Sequence, residues 1–63
     1  MKRYVPYRSG RVIVTDSEHS RIGQEGKVVS LVPSLDMATV LAVGVIFGDG
    51  PTEYFKKWQL REL

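Results

Sequence analysis

Apolar positions along the chain fall into short β-branched runs separated by polar stretches that contain glycine. Residues 11–15 read Arg-Val-Ile-Val-Thr directly after Gly10, the pattern of a half-buried strand. Residues 26–32, Gly-Lys-Val-Val-Ser-Leu-Val, resume that pattern and stop at Pro33, which lacks the N–H that a central ladder requires. Residues 39–47 are so continuously apolar that periodicity alone does not separate a buried strand from a buried helix. Their valines, with Thr39, Gly44 and Ile46, favour a third strand, and the Gly48-Asp49-Gly50 that follows is a hairpin turn. Residues 51–55 read as a short fourth strand opening on Pro51, where a missing N–H costs no ladder bond. In residues 56–63, the spacing of Trp58, Leu60 and Leu63 fits a helical turn followed by an apolar terminal residue better than it fits a strand.

Between the first two strands, residues 16–25 are polar and hold Ile22 as their one apolar side chain. That predicts a long surface loop tethered to the core at Ile22. The expected core is Val12, Val14, Ile22, Val28, Leu31, Val40, Val43, Val45, Phe47, Phe55 and Leu60, joined by Trp58 because so short a chain has little other bulk. Residues 1–9 form a basic and aromatic arm with Pro6 and two tyrosines, and residues 10–63 form one all-β domain of four to five short strands.

Composition narrows the possible chemistry. A chain of 63 residues buries only about 60% of its unfolded surface, which leaves one thin core. It has no cysteine and one histidine, so a disulfide framework, thiol chemistry and a histidine- or cysteine-based zinc site are all unexpected. No succession of charged, apolar and small residues opens the sequence, and its longest nearly apolar stretch, residues 38–47, is far shorter than the roughly 20 residues that span a bilayer. The expectation is a cytoplasmic protein without a membrane segment.

His19 shares its loop with Asp16, Ser17, Glu18 and Ser20, a set from which a catalytic triad or a metal site could be drawn. Neighbours on one loop do not hold hydrogen-bond geometry, no Gly-x-Ser-x-Gly elbow supports a nucleophile, and a second metal-ligating imidazole or thiolate is missing. Gly23-Gln-Glu-Gly26 lacks the Lys-Ser/Thr of a phosphate loop. No catalytic residue, cofactor or metal is expected, and the chain reads as a binding protein.

Charge is unevenly spread beneath a net +2. Residues 1–11 carry Lys2, Arg3, Arg8 and Arg11 without an acid; residues 12–55 are net negative, with Asp16, Glu18, Glu25, Asp36, Asp49 and Glu53 against Arg21 and Lys27; residues 56–63 carry Lys56, Lys57 and Arg61 against Glu62. Tyr4, Tyr7, Tyr54 and Trp58 fall in or beside the basic ends. Cations interleaved with rings suit single-stranded nucleic acid, which needs charge for phosphates and faces for stacking, and they also suit a protein interface, where Tyr, Trp and Arg dominate binding.

Short strands, a long loop after the first, a Gly-Asp-Gly hairpin and a closing turn together resemble the small SH3-like barrel. Gly10-Arg-Val-Ile-Val, then a loop, then Ile22-Gly-Gln-Glu-Gly26-Lys-Val-Val is similar to the KOW-type version of that barrel found in ribosomal proteins and transcription elongation factors. Gly23, Gly26 and Val28 fit its Gly-x-x-Gly-x-Val pattern, with Gly26 expected to take a backbone geometry denied to other residues. The resemblance covers residues 10–32. It implies that the first strand and the closing segment lie side by side, which would gather Lys2, Arg3, Tyr4, Tyr7, Arg8 and Arg11 near Tyr54, Lys56, Lys57, Trp58 and Arg61. Two functions follow as expectations. One is a protein-docking accessory or regulatory subunit of a larger complex, contacted through the acidic middle and the long loop. The alternative is binding of RNA or a ribonucleoprotein through the basic and aromatic patch.

Overall fold

Alternation decides which side of each strand turns inward. In the computed structural model, which describes residues 6–36 and 39–63, Val12 and Val14 of β1 (Arg11–Val14) are buried, while Arg11 before them is exposed and Ile13 between them is half-buried. β2 (Glu25–Pro33) and β3 (Val40–Ile46) carry Val28, Val43 and Val45 inward, β4 (Glu53–Phe55) adds Phe55, and β5 (Leu60–Glu62) adds Leu60. These seven side chains form the core, with Leu31, Val40 and Phe47 packed against it. The fold is all-β: one five-stranded sheet in the order β4-β3-β2-β1-β5, every pairing antiparallel. Among the described residues no helix is long and apolar enough to cross a membrane.

Four strands lie where the hydrophobic pattern puts them, with ends shifted by one or two residues. The closing segment differs. Only Lys57–Gln59 form a turn, of 3-10 type, and residues 60–62 return as β5 to pair with β1 through Val14↔Leu60, Ile13↔Arg61 and Val12↔Glu62. Leu60 inward with Arg61 outward is strand alternation over too few residues to register as a pattern.

That short closing link bends the sheet. Five flat strands would hold β4 and β5 about 19 Å apart, whereas the five Cα steps from Phe55 to Leu60 reach at most about 17 Å when fully extended. Coiled into a 3-10 turn they reach much less, so the edge strands must curl toward each other. The β2–β3 ladder shifts register between Val28 and Ser30 and between Val32 and Pro33, and breaks of this kind let a strand bend. β4 and β5 do not pair with each other, so the sheet stays open along that side.

Two expected core residues lie outside it. Ile22 is 47% exposed and Trp58 is 71% exposed. The aromatic share of the core is Phe55, with Phe47 packed against it, and their rings meet edge to face at 5.8 Å.

Candidate partner-binding site

The long loop after β1 is held down by polar residues, not by Ile22. The His19 ring packs against Phe55, centroids 4.8 Å apart, and its Nδ1 accepts the Arg21 backbone N–H at 3.0 Å. The Arg21 guanidinium lies over the Phe47 ring at 4.7 Å, donates to Gln24 Oε1 at 2.9 Å and is ion-paired with Glu53 of β4. His19 is therefore a packing residue of the loop. Among the described residues no group of three or more His, Cys, Asp or Glu is placed to hold a metal ion.

Gly26 takes none of the left-handed geometry expected of it; Gly23, with φ 81°, does. Gly26 is needed for a different reason. A Cβ there would stand 2.5 Å from Val45 Cγ1 and 2.9 Å from the Ile46 carbonyl oxygen, so the glycine lets β2 and β3 approach at the start of their ladder.

The end of the chain builds an anchored platform. The Gln59 side-chain oxygen accepts the Lys56 N–H at 2.8 Å while its amide donates to Asp16 Oδ2 at 2.9 Å. The Gln59 carbonyl also accepts the Thr15 N–H at 2.9 Å. These bonds fasten the 3-10 turn to the end of β1, and Trp58, in the middle of the turn, is left 71% exposed. Lys56 is exposed and Lys57 half-buried beside it.

Not all of the expected patch converges. Lys2, Arg3 and Tyr4 lie outside the described residues. Arg11 and Arg61 sit on adjacent strands and share the outward face, since Arg61 is opposite Ile13, two residues from Arg11. Lys56, Lys57 and Trp58 share the turn that leads into β5. Tyr54 lies on β4, the other edge strand, opposite Gly44; a Cβ on that glycine would meet the Tyr54 ring at 3.1 Å, so one part of the ring is committed to packing although 58% of the residue is exposed. Tyr7 packs its ring on Gly10, and its hydroxyl is hydrogen-bonded to Glu62, whose carboxylate pushes the phenol above its ordinary value. Arg8 is exposed at the turn between Tyr7 and Gly10.

Among the described residues the ion pairs are Arg11 with Glu25 and Arg21 with Glu53. Lys56, Lys57 and Arg61 have no carboxylate partner there. Sequence reasoning passed over Lys27, which stands opposite Arg11 on the outward face. Its signal was the alternation of Glu25 and Lys27 with Gly26 and Val28, legible once the second strand is started one residue earlier.

A shallow depression of about 450 Å³ lies at the far end of the β2–β3 hairpin, lined by Ser34, Leu35, Asp36, Thr39 and Leu41. Compared with known proteins, the chain matches no family model, no curated sequence and no solved structure.

Proposed function

We propose that the chain is a small, non-catalytic binding module of SH3-like barrel type whose 3-10 turn engages single-stranded RNA. The pairing of the closing segment with the first strand, and the turn that precedes it, support the barrel reading. A chain without cysteine suits the reducing cytoplasm. The observation that carries the function is Trp58, 71% exposed on a turn that Gln59 anchors at both ends, beside lysines without carboxylate partners. An aromatic face held out to water on a rigid support is ready to stack on a base, and free cations beside it suit phosphates. Lysine is depleted in protein–protein interfaces, which weighs toward the nucleic acid.

Trp58 is the single tryptophan of the chain, so its own fluorescence reports the contact. A titration with an oligouridylate is expected to quench it, with affinity that falls steeply as salt rises. Trp58→Ala, followed with a labelled oligonucleotide, is expected to weaken binding by about 1–3 kcal/mol, the range for one stacked base, and Lys56→Ala with Lys57→Ala is expected to flatten the salt dependence. No binding at low salt, or an affinity indifferent to salt, refutes the RNA reading.

The second reading, a protein-docking accessory subunit, is favoured by one observation. Leu35 is fully exposed and Leu41 is 53% exposed beside the hairpin depression, apolar surface that gains by being covered. A stable stoichiometric complex in pull-down, lost on Leu35→Ser, supports it.

A further inference from the structure

The outward face of the sheet holds a charge arrangement that the turn does not use. Strand register sets it out in two rows. Directly opposed residues of an antiparallel pair share a face, so Arg61, Ile13 and Glu25 form one row across β5, β1 and β2, and Arg11 and Lys27 form the next. Arg11, Lys27 and Arg61 are all exposed. The Leu63 N–H continues the β5 ladder by donating to the Arg11 carbonyl at 3.0 Å, which keeps the strand beneath these side chains in register. Arg11 reaches diagonally to Glu25, Nη2 to Oε1 3.1 Å, with both side chains largely in solvent.

The ion pair with Glu25 accounts for Arg11 but not for Lys27 or Arg61, which have no carboxylate partner among the described residues. Like charges directly opposite each other on a sheet are destabilising, and Arg11 faces Lys27. Nor do the three cations converge on a point, as donors around a small anion would. They stand on three successive strands about 4.8 Å apart, in rows about 6.7 Å apart along the strand, which makes a spread track of positive charge.

We infer that the outward face of β5, β1 and β2 is a phosphate track for the same single strand that stacks on Trp58, with Glu25 restraining it by occupying Arg11. The inference rests on the RNA reading above. A polyanion presents a line of separated charges, and its phosphates meet Arg61, Arg11 and Lys27 one after another. β5 joins the two regions, since Arg61 lies three residues after Trp58 in a strand that continues directly from the turn. When the strand binds, phosphate competes with the Glu25 carboxylate for the Arg11 guanidinium.

The test follows Trp58 fluorescence with an oligouridylate from about 50 to about 200 mM salt, where counterion release is most visible. Lys27→Gln and Arg61→Gln are each expected to weaken binding several-fold and to reduce the slope of log affinity against log salt by about 0.7, one phosphate contact on a single strand. Glu25→Gln is expected to do the opposite, raising affinity several-fold and steepening the slope. Lys27→Gln removes a like-charge pair, so its melting temperature is expected to be no lower than wild type, which separates lost contact from lost fold. Wild-type binding that depends on Trp58 but is unmoved by changes at Lys27, Arg61 and Glu25 overturns the track and leaves the turn as the site. No binding by the wild-type chain at the lowest salt overturns the RNA reading and the track together.

Discussion

The guanidinium of Arg21 stands 4.7 Å from the centre of the Phe47 ring, which places a cation of the β1–β2 loop against an aromatic ring that follows β3. The same guanidinium holds Glu53 of β4 through Nε at 2.9 Å and through Nη2. One side chain thus ties the loop both to β4 and to the ring that follows β3.

Removing that tie is expected to lower stability without changing the fold. Both side chains of the ion pair remain 31% exposed, so solvent screening keeps their attraction modest, and the larger loss is the combined stack and fork. Arg21→Ala is expected to cost about 1–2 kcal/mol, or a melting temperature lower by roughly 4–8 °C for each kcal/mol. Arg21→Lys is expected to recover less than half, because an ammonium neither stacks flat on Phe47 nor donates twice to one carboxylate. Full recovery by lysine in thermal melts would show that net charge alone matters.

Two glycines of the same segment are needed for different reasons, and alanine separates them. At Gly26 a Cβ would press on Val45 Cγ1 at 2.5 Å and on the Ile46 carbonyl oxygen at 2.9 Å, and backbone cannot yield as a side-chain tip can. Gly26→Ala is expected to cost about 2–3 kcal/mol through overpacking and strand displacement. Gly23 has open space around it but φ 81°, so Gly23→Ala is expected to cost only about 1 kcal/mol of left-handed strain. Urea denaturation of the two variants checks the order; equal losses would refute it.

What the sequence made legible follows from how locally each feature is encoded. The β-branched runs around Val12, Val28 and Val45 need only their own neighbours to read as strands, and the inward valines follow from alternation. The local pattern of residues 56–63 read as a helical turn, and β5 stayed hidden in it, because Leu60-Arg61-Glu62 is too short to show a period and is held by β1, a partner distant in the chain that only the barrel resemblance placed beside it. Trp58 was expected inside on the strength of its size, yet it stands in the middle of the 3-10 turn and is exposed, and the rings that join the core are Phe55 and Phe47. Ile22 was expected to anchor the loop because it is the loop's only apolar residue, while the anchoring falls to His19 and Arg21, whose polar atoms bond within the loop and to β4 as their rings and planes cover phenylalanines. Of the candidate site, the proximity of Arg11 to Arg61 could be anticipated from the barrel resemblance; the opposition of Arg11 to Lys27 depends on a register that no local pattern reveals.

Ser9 is expected to be improvable. It holds φ 70° in the turn that lets its N–H donate to the Val28 carbonyl at 2.8 Å, and a residue with a Cβ pays about 1–2 kcal/mol for that conformation. Glycine removes the strain but gives up backbone entropy of about 0.5–1 kcal/mol. Ser9→Gly is therefore expected to stabilise by about 0.5 kcal/mol, and Ser9→Val, stiff at its branched Cβ, to destabilise. A higher urea midpoint for valine than for glycine would mean that the turn relaxes at little cost.

The Asp16 carboxylate couples acid stability to the turn that carries Trp58. One of its oxygens accepts the Gln59 amide at 2.9 Å and the other accepts the Glu18 N–H at 3.1 Å. The Gln59 bond is the larger cause, the Glu18 bond the next, and the charge of His19 adds a little, while partial burial pulls the other way; together they hold the folded carboxyl below its ordinary value of 3.8. A depressed folded-state value means that the native chain favours the ionised form more than the unfolded chain does. The resulting stability is present in full above 3.8 and is lost as pH falls through the lower folded-state value. Acid should therefore loosen the Gln59 anchor and with it the platform beneath Trp58. In Asp16→Asn a single oxygen cannot serve both donors, and the amide nitrogen must face one of them. That variant is expected to be less stable than wild type at neutral pH, with the gap narrowing as pH is lowered because only the wild type has an ionisation there to lose. Urea midpoints measured across the acid range decide it: a gap that stays constant with pH would mean that the Asp16 charge plays no part in holding the turn.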